Sequence, residues 1–316
     1  MGVDILIAVI LDLILGDPYG FPHPVIYIGK LISFLDEKGR EKCNSSKQLK
    51  FLGLMIVIIV SIASFGIPYL LLWLMKPYFW GYHLLQVAIL WTTLAATSLR
   101  KESLKVYDAL LKEDIKESRK MLSYIVGRDT SNLNKNEIIR ADVETIAENT
   151  ADGIIAPLFY AMIGGAPLAM LYKGMNTMDS MLGYITPQYK DIGFFPAHVD
   201  DIVNYIPARI SGILFILVSP IVKGNIITTA CIVIRDRRNH KSPNCAYPES
   251  AVAGALGIQL GGDNNYFGEI IKKPTMGDYI NPLNENHIQQ TVTLMYAAEI
   301  LFVIIYITTL MRYIKS

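Results

Sequence analysis

Arg140, Glu144, Glu148 and Asp152 follow one another at four-residue steps. On a helix that spacing puts them in one stripe, with Thr145 and Asn149 alongside. Three acids so placed repel one another, and more strongly where the dielectric is low. The stripe is either a solvated acidic face, or a set whose repulsion is offset by a divalent cation, by Arg140 and other basic groups, or by protonation. Its position favours the second reading. It runs straight into Gly153 and an apolar segment, where a merely solubilising face has no reason to end. Asp152-Gly153 reads as a helix stop that leaves the acids at a membrane boundary.

Three further polar groups punctuate apolar sequence. Lys173, Asn176, Thr177 and Ser180 share one helical face with Asp179 nearby, small donors and acceptors suited to phosphate and metal-bound water; the plainer reading of Asn-Thr-x-Asp is a cap. Asp200-Asp201 leads to Asn204-Tyr205 and Arg209, and Asp201, Tyr205 and Arg209 again step by four. Arg209 enters an apolar run, so it wants a partner, of which Asp201 is the simplest, or a functional task. Arg235-Asp236-Arg237-Arg238-Asn239-His240-Lys241, followed by Ser242-Pro243-Asn244 and Pro248-Glu249, is either a basic anchor or a rigid loop that holds phosphates or carboxylates. Gly257-x-x-x-Gly261 reads as close helix packing rather than a nucleotide fingerprint, and there is no Walker-type phosphate loop. Cys43, Cys231 and Cys245 form no Cys-x-x-Cys pair, and the five histidines lack ligand spacing, which argues against a disulfide framework or a zinc site.

The elements that must position these groups are membrane helices. The chain has 316 residues, 52% of them hydrophobic, and 29 basic against 28 acidic residues. Its mean hydropathy is +0.35, too apolar for an ordinary soluble domain. A net charge of +1 gives no case for nucleic acid as a partner. Met1 to Leu15 contains Asp4 and Asp12 and lacks the features of a cleaved signal, so it reads as retained. A bilayer core of about 30 Å needs roughly 20 apolar residues in helix. Phe51 to Met75 and Thr291 to Met311 qualify, and His83 to Leu99 is about long enough, making a hairpin across the aromatic turn Lys76 to Tyr82. Val3 to Leu15, Gly153 to Tyr172 and Ile206 to Val222 are weaker candidates. Lys101 to Tyr124 reads as one amphipathic helix lying between membrane segments.

Basic residues cluster at 30–50, 100–140 and 235–273, which places those stretches in the cytoplasm. The predicted fold is therefore all-α: a polytopic integral membrane helical bundle, one membrane-embedded domain over 1–316. It carries a cytoplasmic helical insertion at 100–150 and a cytoplasmic loop and helix region at 223–290.

The strings that carry these groups resemble a known family. They are Gly16-Asp17-Pro18 with Pro22-His23-Pro24; Glu148-Asn149-Thr150-x-Asp152-Gly153; Tyr172-Lys173-x-x-Asn176-Thr177-x-Asp179-Ser180; Asp200-Asp201-x-x-Asn204-Tyr205-x-Pro207-Ala208-Arg209; Arg235-Asp236 with His240-x-Ser242-Pro243-Asn244; and Ala253-Gly254-Ala255-Leu256-Gly257. In wording and order they are similar to the cobinamide synthase (adenosylcobinamide-phosphate synthase) family of cobalamin biosynthesis, labelled CbiB or CobD. The likeness runs from about Val3 to Tyr279 and departs at Tyr247, where Gly-Trp or similar is expected.

The resemblance implies an amide ligase that joins (R)-1-amino-2-propanol or its O-phosphate to the free propionate carboxylate of adenosylcobyric acid. ATP and Mg²⁺ would be required. Partners would be that corrinoid, the aminopropanol, membrane lipid and other cobalamin-assembly enzymes. Glu144, Glu148, Asp152 and Asp179 are then expected to hold Mg²⁺. Lys173, Arg209, Arg235 and Arg238, with Arg140, Asn176, Thr177, Ser180, Asn204 and Asn244, would bind phosphates or the substrate carboxylate. Glu148 and Asp152 would be catalytic, and Asp201 or His240 would accept the proton of the attacking ammonium. Because ATP is cytoplasmic, the active site of this multi-pass cell-membrane protein should face the cytoplasm. Gly153 to Tyr172 should then bend back rather than span, although the scarcity of basic residues at 184–205 argues otherwise. A transporter or channel would also place acids and an arginine among membrane helices, with a spanning Gly153 segment. A non-catalytic sensor or interaction protein would tolerate loss of the acids.

Overall fold

The computed structural model describes residues 1–316 except 18, 19, 21, 185, 263, 267, 268, 272, 273 and 316, and describes only the backbone at 264–266, 269–271, 310 and 312–315. Pro18 of the first string thus lies outside the described residues. Helices dominate, and among the described residues four are long and apolar enough to cross a membrane: Ser46–Met75, Lys135–Leu182, Tyr205–Val222 and Asn286–Thr309. The chain is an all-α membrane protein, as its hydropathy requires. It divides into two compact units, Met1–Ala95 with Ala156–Asn204, and Ala96–Ile155 with Tyr205–Ser316.

In the first unit, helices Pro24–Arg40, Ser46–Met75, Ala156–Leu182 and Phe194–Val203 pack around Ile32, Ile56, Val60, Met178 and Ile192. Small residues let the backbones close, as expected where lipid supplies no hydrophobic drive between helices. A Cβ on Gly53 would sit 2.1 Å from the Ile192 carbonyl oxygen, and one on Gly174 would sit 2.3 Å from Ser64 Oγ. Helix Gly2–Leu15 buries Asp4, which His83 of helix Phe79–Trp91 meets at 2.9 Å.

The expected span from His83 to Leu99 is not formed. Helix Phe79–Trp91 has 13 residues, because Thr92 and Thr93 turn their hydroxyls onto the Ile89 and Leu90 carbonyls at 2.8 and 2.7 Å and end it. The single amphipathic helix expected at 101–124 is two, Ala96–Leu111 and Ile115–Ser123; Glu113 takes a positive φ of 57° and Asp114 caps the second.

Asp152-Gly153 is no helix stop either. Ala151–Ile155 forms one π-helical turn and helix Ala156–Leu182 follows. The break comes later, at Gly164 (φ −140°, ψ 20°) and Gly165 (φ 68°, ψ −159°), ahead of Pro167. Tyr160 and Tyr172 would stand about 18 Å apart on a straight helix, yet their rings stack with centroids 5.2 Å apart. Residues 156–163 and 166–182 therefore fold back on each other.

The second unit packs helices Lys135–Thr150, Tyr205–Val218, Ile226–Asp236, Ala246–Leu256 and Asn286–Lys315 around residues such as Ile139, Ile146, Phe215, Val252 and Met295. A two-residue antiparallel ladder joins Leu260–Gly261 to Thr275–Met276. Gly257 is the left-handed C-cap of helix Ala246–Leu256 and Gly261 lies in that ladder, so the Gly257-x-x-x-Gly261 string serves turns and not helix packing.

Candidate functional site

Helix Lys135–Thr150 starts with a reciprocal cap. Asn134 Oδ1 accepts from Glu137 N at 3.1 Å, and Glu137 Oε2 accepts from Asn134 N at 2.7 Å. Burial of Ile138, Ile139, Val143 and Ile146 fixes its rotation and turns the acidic stripe to the neighbouring loops. Glu144 is then committed to protein donors. Arg128 Nη2 reaches its Oε2 at 3.1 Å, the Gly261 N–H donates to its Oε1 at 2.8 Å, and Arg140 Nε stands 3.9 Å away. With both oxygens taken, Glu144 fastens the Gly261 turn to the helix and is a poor candidate for the metal role given to it from sequence.

One turn on, Glu148 faces a different group. The Cys245 thiol donates to Glu148 Oε1 at 3.0 Å. Burial, and then the charges of Glu148, Glu249 and Asp152, push the Cys245 thiol well above its ordinary ionisation range. Three carboxylates thus surround one protonated sulfur. The ligand-type atoms of His240, Cys245 and Glu249 lie within 4.8 Å of one another. His240 Nδ1 accepts the Ser242 N–H at 3.0 Å, so the neutral ring carries its proton on Nε2. Cys245 and Glu249 were not among the expected site residues. Cys245 is isolated in the sequence, but not in space. The available signal was that Cys245 and Glu249 flank Pro248 at the start of a helix, four residues apart.

Arg209 adjoins this group through the next residue along the chain. Its guanidinium lies between the rings of Tyr205 and Tyr247, 3.4 and 4.3 Å from their centroids. It donates to Asn244 Oδ1 at 2.9 Å, the Tyr205 carbonyl at 2.6 Å and the Pro243 carbonyl at 3.4 Å. Tyr247, where the chain departs from the familiar pattern, is one wall of that stack. Arg235 is spent elsewhere: it pairs with Asp236 at 2.7 Å and with Asp278 at 2.8 Å, while Gly277 N–H donates to Asp236 Oδ2 at 2.8 Å. Burial opposes ionisation of Asp236, but Arg235 and the Gly277 amide outweigh it and hold the carboxyl below its ordinary value. Arg238 is exposed on the following turn.

The first unit gathers the other strings. Tyr172 Oη donates to Asn204 Oδ1 at 2.7 Å, Asn204 Nδ2 to Asp200 Oδ2 at 2.9 Å, and Asn176 Nδ2 to Asp200 Oδ1 at 3.3 Å. Asp200 is 8% exposed. Burial, reinforced by the Asp179 charge and more weakly by Asp201, raises its carboxyl to about 7 against the two amide hydrogen bonds. Asp200, and not its neighbour Asp201, is therefore the central acid of this pair. Thr177 and Ser180 give their hydroxyl protons to the Lys173 and Asn176 carbonyls at 2.7 and 2.9 Å, so they meet a ligand as acceptors, not as the phosphate donors expected. Asp17 and His23 of the first string stand 3.5 Å apart.

Residues 5–295 match the family model described as CobD/Cbib protein. This chain belongs to the CobD/Cbib family. A Cobalamin biosynthesis protein CobD of Clostridium tetani is 62% identical over 311 residues, which cover 98% of this chain and 98% of the relative. The CobD of Clostridium acetobutylicum is 61% identical over 305 residues, 96% of this chain and 97% of that one. Cobalamin biosynthesis protein CbiB of Salmonella typhimurium is 47% identical over 299 residues, 93% of each. No solved structure matches. Membership of the family gives the protein a role in cobalamin biosynthesis.

The ion that the family's expected chemistry calls for is Mg²⁺. Glu148, Asp152 and Glu249 offer the hard oxygen ligands that Mg²⁺ prefers, and burial together with their charge keeps the neighbouring thiol protonated. The thiol donates to Glu148 and so does not compete as a thiolate. In kind these carboxylates suit a hard divalent cation; the ligand-type atoms that already stand within 4.8 Å of one another are those of His240, Cys245 and Glu249.

Proposed function

We propose that the protein forms an amide between the free propionate carboxylate of adenosylcobyric acid and (R)-1-amino-2-propanol or its O-phosphate, at the expense of ATP. The observation that carries this reading is the dipeptide Asn244-Cys245. Asn244 holds the stacked guanidinium of Arg209, and Cys245 sits among Glu148, Asp152 and Glu249. A fixed cation beside a knot of carboxylates is what joining an anionic acid to a nucleotide needs: one part neutralises the acid or a phosphate, the other a metal-bound nucleotide.

A carboxylate is a poor electrophile for an amine. Transfer of the terminal phosphoryl group of ATP to the propionate oxygen gives an acyl phosphate and ADP. The amine nitrogen then attacks the carbonyl carbon, the C–N bond forms, inorganic phosphate leaves and the nitrogen loses a proton. Glu148, Asp152 and Glu249 would hold Mg²⁺, which when bound supplies charge neutralisation to phosphate oxygens. Arg209, its plane fixed by Tyr205 and Tyr247, would orient a carboxylate or phosphate through its free N–H edge. His240, with its proton on Nε2, would donate to an oxygen and not accept from the ammonium. The site would face the cytoplasm, where ATP is. The bend at Gly164–Gly165 supports this reading over a transporter, which calls for a spanning Gly153 segment.

The test is turnover by purified protein supplied with adenosylcobyric acid, aminopropanol phosphate, ATP and Mg²⁺, omitting each in turn. Product should require all four, and Glu148→Ala should abolish it while the protein remains folded in membranes. Product made without nucleotide, or a fully active Glu148→Ala protein, would sink the proposal.

A further inference from the structure

A polar cavity of about 380 Å³ lies wholly in the second unit and shares no residue with the Glu148 group. Its wall includes Lys223, Asn225, Thr228, Asn281, His287 and Gln290 but no Asp or Glu. Among the described residues Lys223 has no ion-pair partner. The cavity therefore carries a cation and no acid.

Its location follows from the helices that end there. Tyr205–Val222 terminates at the cavity and Asn286–Thr309 begins at it, and both are long and apolar enough to cross a bilayer. The cavity thus sits where two helices long and apolar enough to cross a membrane end. Exposed apolar side chains flank it: Ile227 at 74% and Ile280 at 65% relative exposure.

The wall is built for a ligand. Lys223 is held left-handed (φ 65°, ψ 17°), a conformation rare for a side chain with a Cβ. The following Gly224 presses so close to helix Ala246–Leu256 that a Cβ there would meet the Ala255 carbonyl oxygen at 2.5 Å. Helix Ile226–Asp236 points its N-terminus at the cavity, but Asn225 already takes the Ile227 and Thr228 N–H groups at 2.9 and 3.0 Å, so side chains must supply the donors. His287 supplies one. It is 5% exposed, and its Nδ1 accepts the Asn284 N–H at 3.1 Å, which puts the ring proton on Nε2. His287 is part of the cavity wall, and no hydrogen bond engages its Nε2–H among the described residues. Asn281 spends its amide N–H on the Leu256 carbonyl at 2.8 Å, leaving an acceptor oxygen suited to a ligand hydroxyl.

We propose that this cavity binds a phosphate ester of a hydroxylated alcohol, with Lys223 and His287 Nε2 on the phosphate oxygens and Asn281 on a hydroxyl. Either a lipid headgroup such as glycerophosphate or a soluble phosphate ester has this chemistry. The site does not depend on the reaction proposed above, and its test does not use turnover.

The full-length protein, purified in detergent, is titrated with inorganic phosphate and with glycerol 3-phosphate against chloride at matched ionic strength. In parallel it is reconstituted with phosphatidylglycerol or phosphatidylcholine and examined by native mass spectrometry for retained lipid. Lys223→Gln, at an exposed position, should weaken binding about tenfold. His287→Gln should weaken it too; should that variant fail to fold, Lys223→Gln alone decides. Saturable binding of glycerol 3-phosphate lost in Lys223→Gln supports a soluble ligand. Preferential retention of phosphatidylglycerol, lost in the same variant, supports a lipid. Binding no better than chloride with no lipid preference, or binding unchanged by Lys223→Gln, overturns the proposal.

Discussion

Replacing Asp200 by Asn should make the protein more stable at alkaline pH and remove part of its pH dependence. In the folded chain the Asp200 carboxyl titrates at about 7 instead of 3.8. The folded state therefore binds this proton more tightly than the unfolded state does. As pH rises from about 4 to about 7 the folded protein loses stability, and above 7 the loss is constant. Three pKa units correspond to about 4 kcal/mol. Asn carries no charge and so escapes that loss. It offers only one acceptor oxygen, however, so the donor from Asn176 at 3.3 Å or from Asn204 at 2.9 Å loses its partner, at a cost of about 1–2 kcal/mol. The net expectation is a gain of about 2–3 kcal/mol at pH 8 and close to none at pH 5. Denaturant unfolding of wild type and Asp200→Asn in mild detergent at pH 5, 6, 7 and 8 measures this. Parallel pH profiles, or a variant less stable than wild type at pH 8, would refute the account of Asp200 as a desolvated acid.

Gly165→Ala should cost about 1–3 kcal/mol, because φ 68° with ψ −159° is a region that only glycine occupies readily, while the nearest side chain, Gln86, is a tolerable 3.4 Å from the new methyl. A thermal midpoint equal to wild type would contradict the bend. Asp236→Asn should lower stability by about 1–2 kcal/mol, discounted because Arg235 is half exposed. The Asp236 carboxyl is held below its ordinary value, so the difference should persist at neutral pH and vanish as acid titrates the wild-type group, visible in unfolding curves at pH 7 and pH 3. A cysteine at exposed Ser180 should react with an impermeant maleimide in inverted vesicles and not in intact cells; labelling from outside would place that stretch on the wrong side for cytoplasmic ATP.

Much of each unit's polar group was legible because its strings are local. The four-residue stripe set Glu148 and Asp152 on one helix face, and Asn176 and Asn204 were marked as polar groups next to acids. What escaped was pairing across loops. Nothing local distinguishes Glu144, which Arg128 and the Gly261 amide occupy, from Glu148, which meets a thiol; both are acids on the same stripe. Arg235 looked like a phosphate ligand until Asp278, 43 residues on, was found holding it. Cys245 has no cysteine partner in the sequence, yet in space it meets carboxylates of Glu148 and Asp152 from a distant segment as well as its chain neighbours His240 and Glu249.

By itself the sequence determined that this is a helical membrane protein, because a bilayer accepts long apolar runs only as structures that satisfy their own backbone. It also determined the family, because six polar strings in fixed order are improbable by accident. Tertiary structure alone decided which carboxylates are spent on arginines and which stand together, and that residues 153–172 turn back at two glycines. Charge alone does not choose a partner. Distance and burial do, and both are set by packing between segments far apart in the chain.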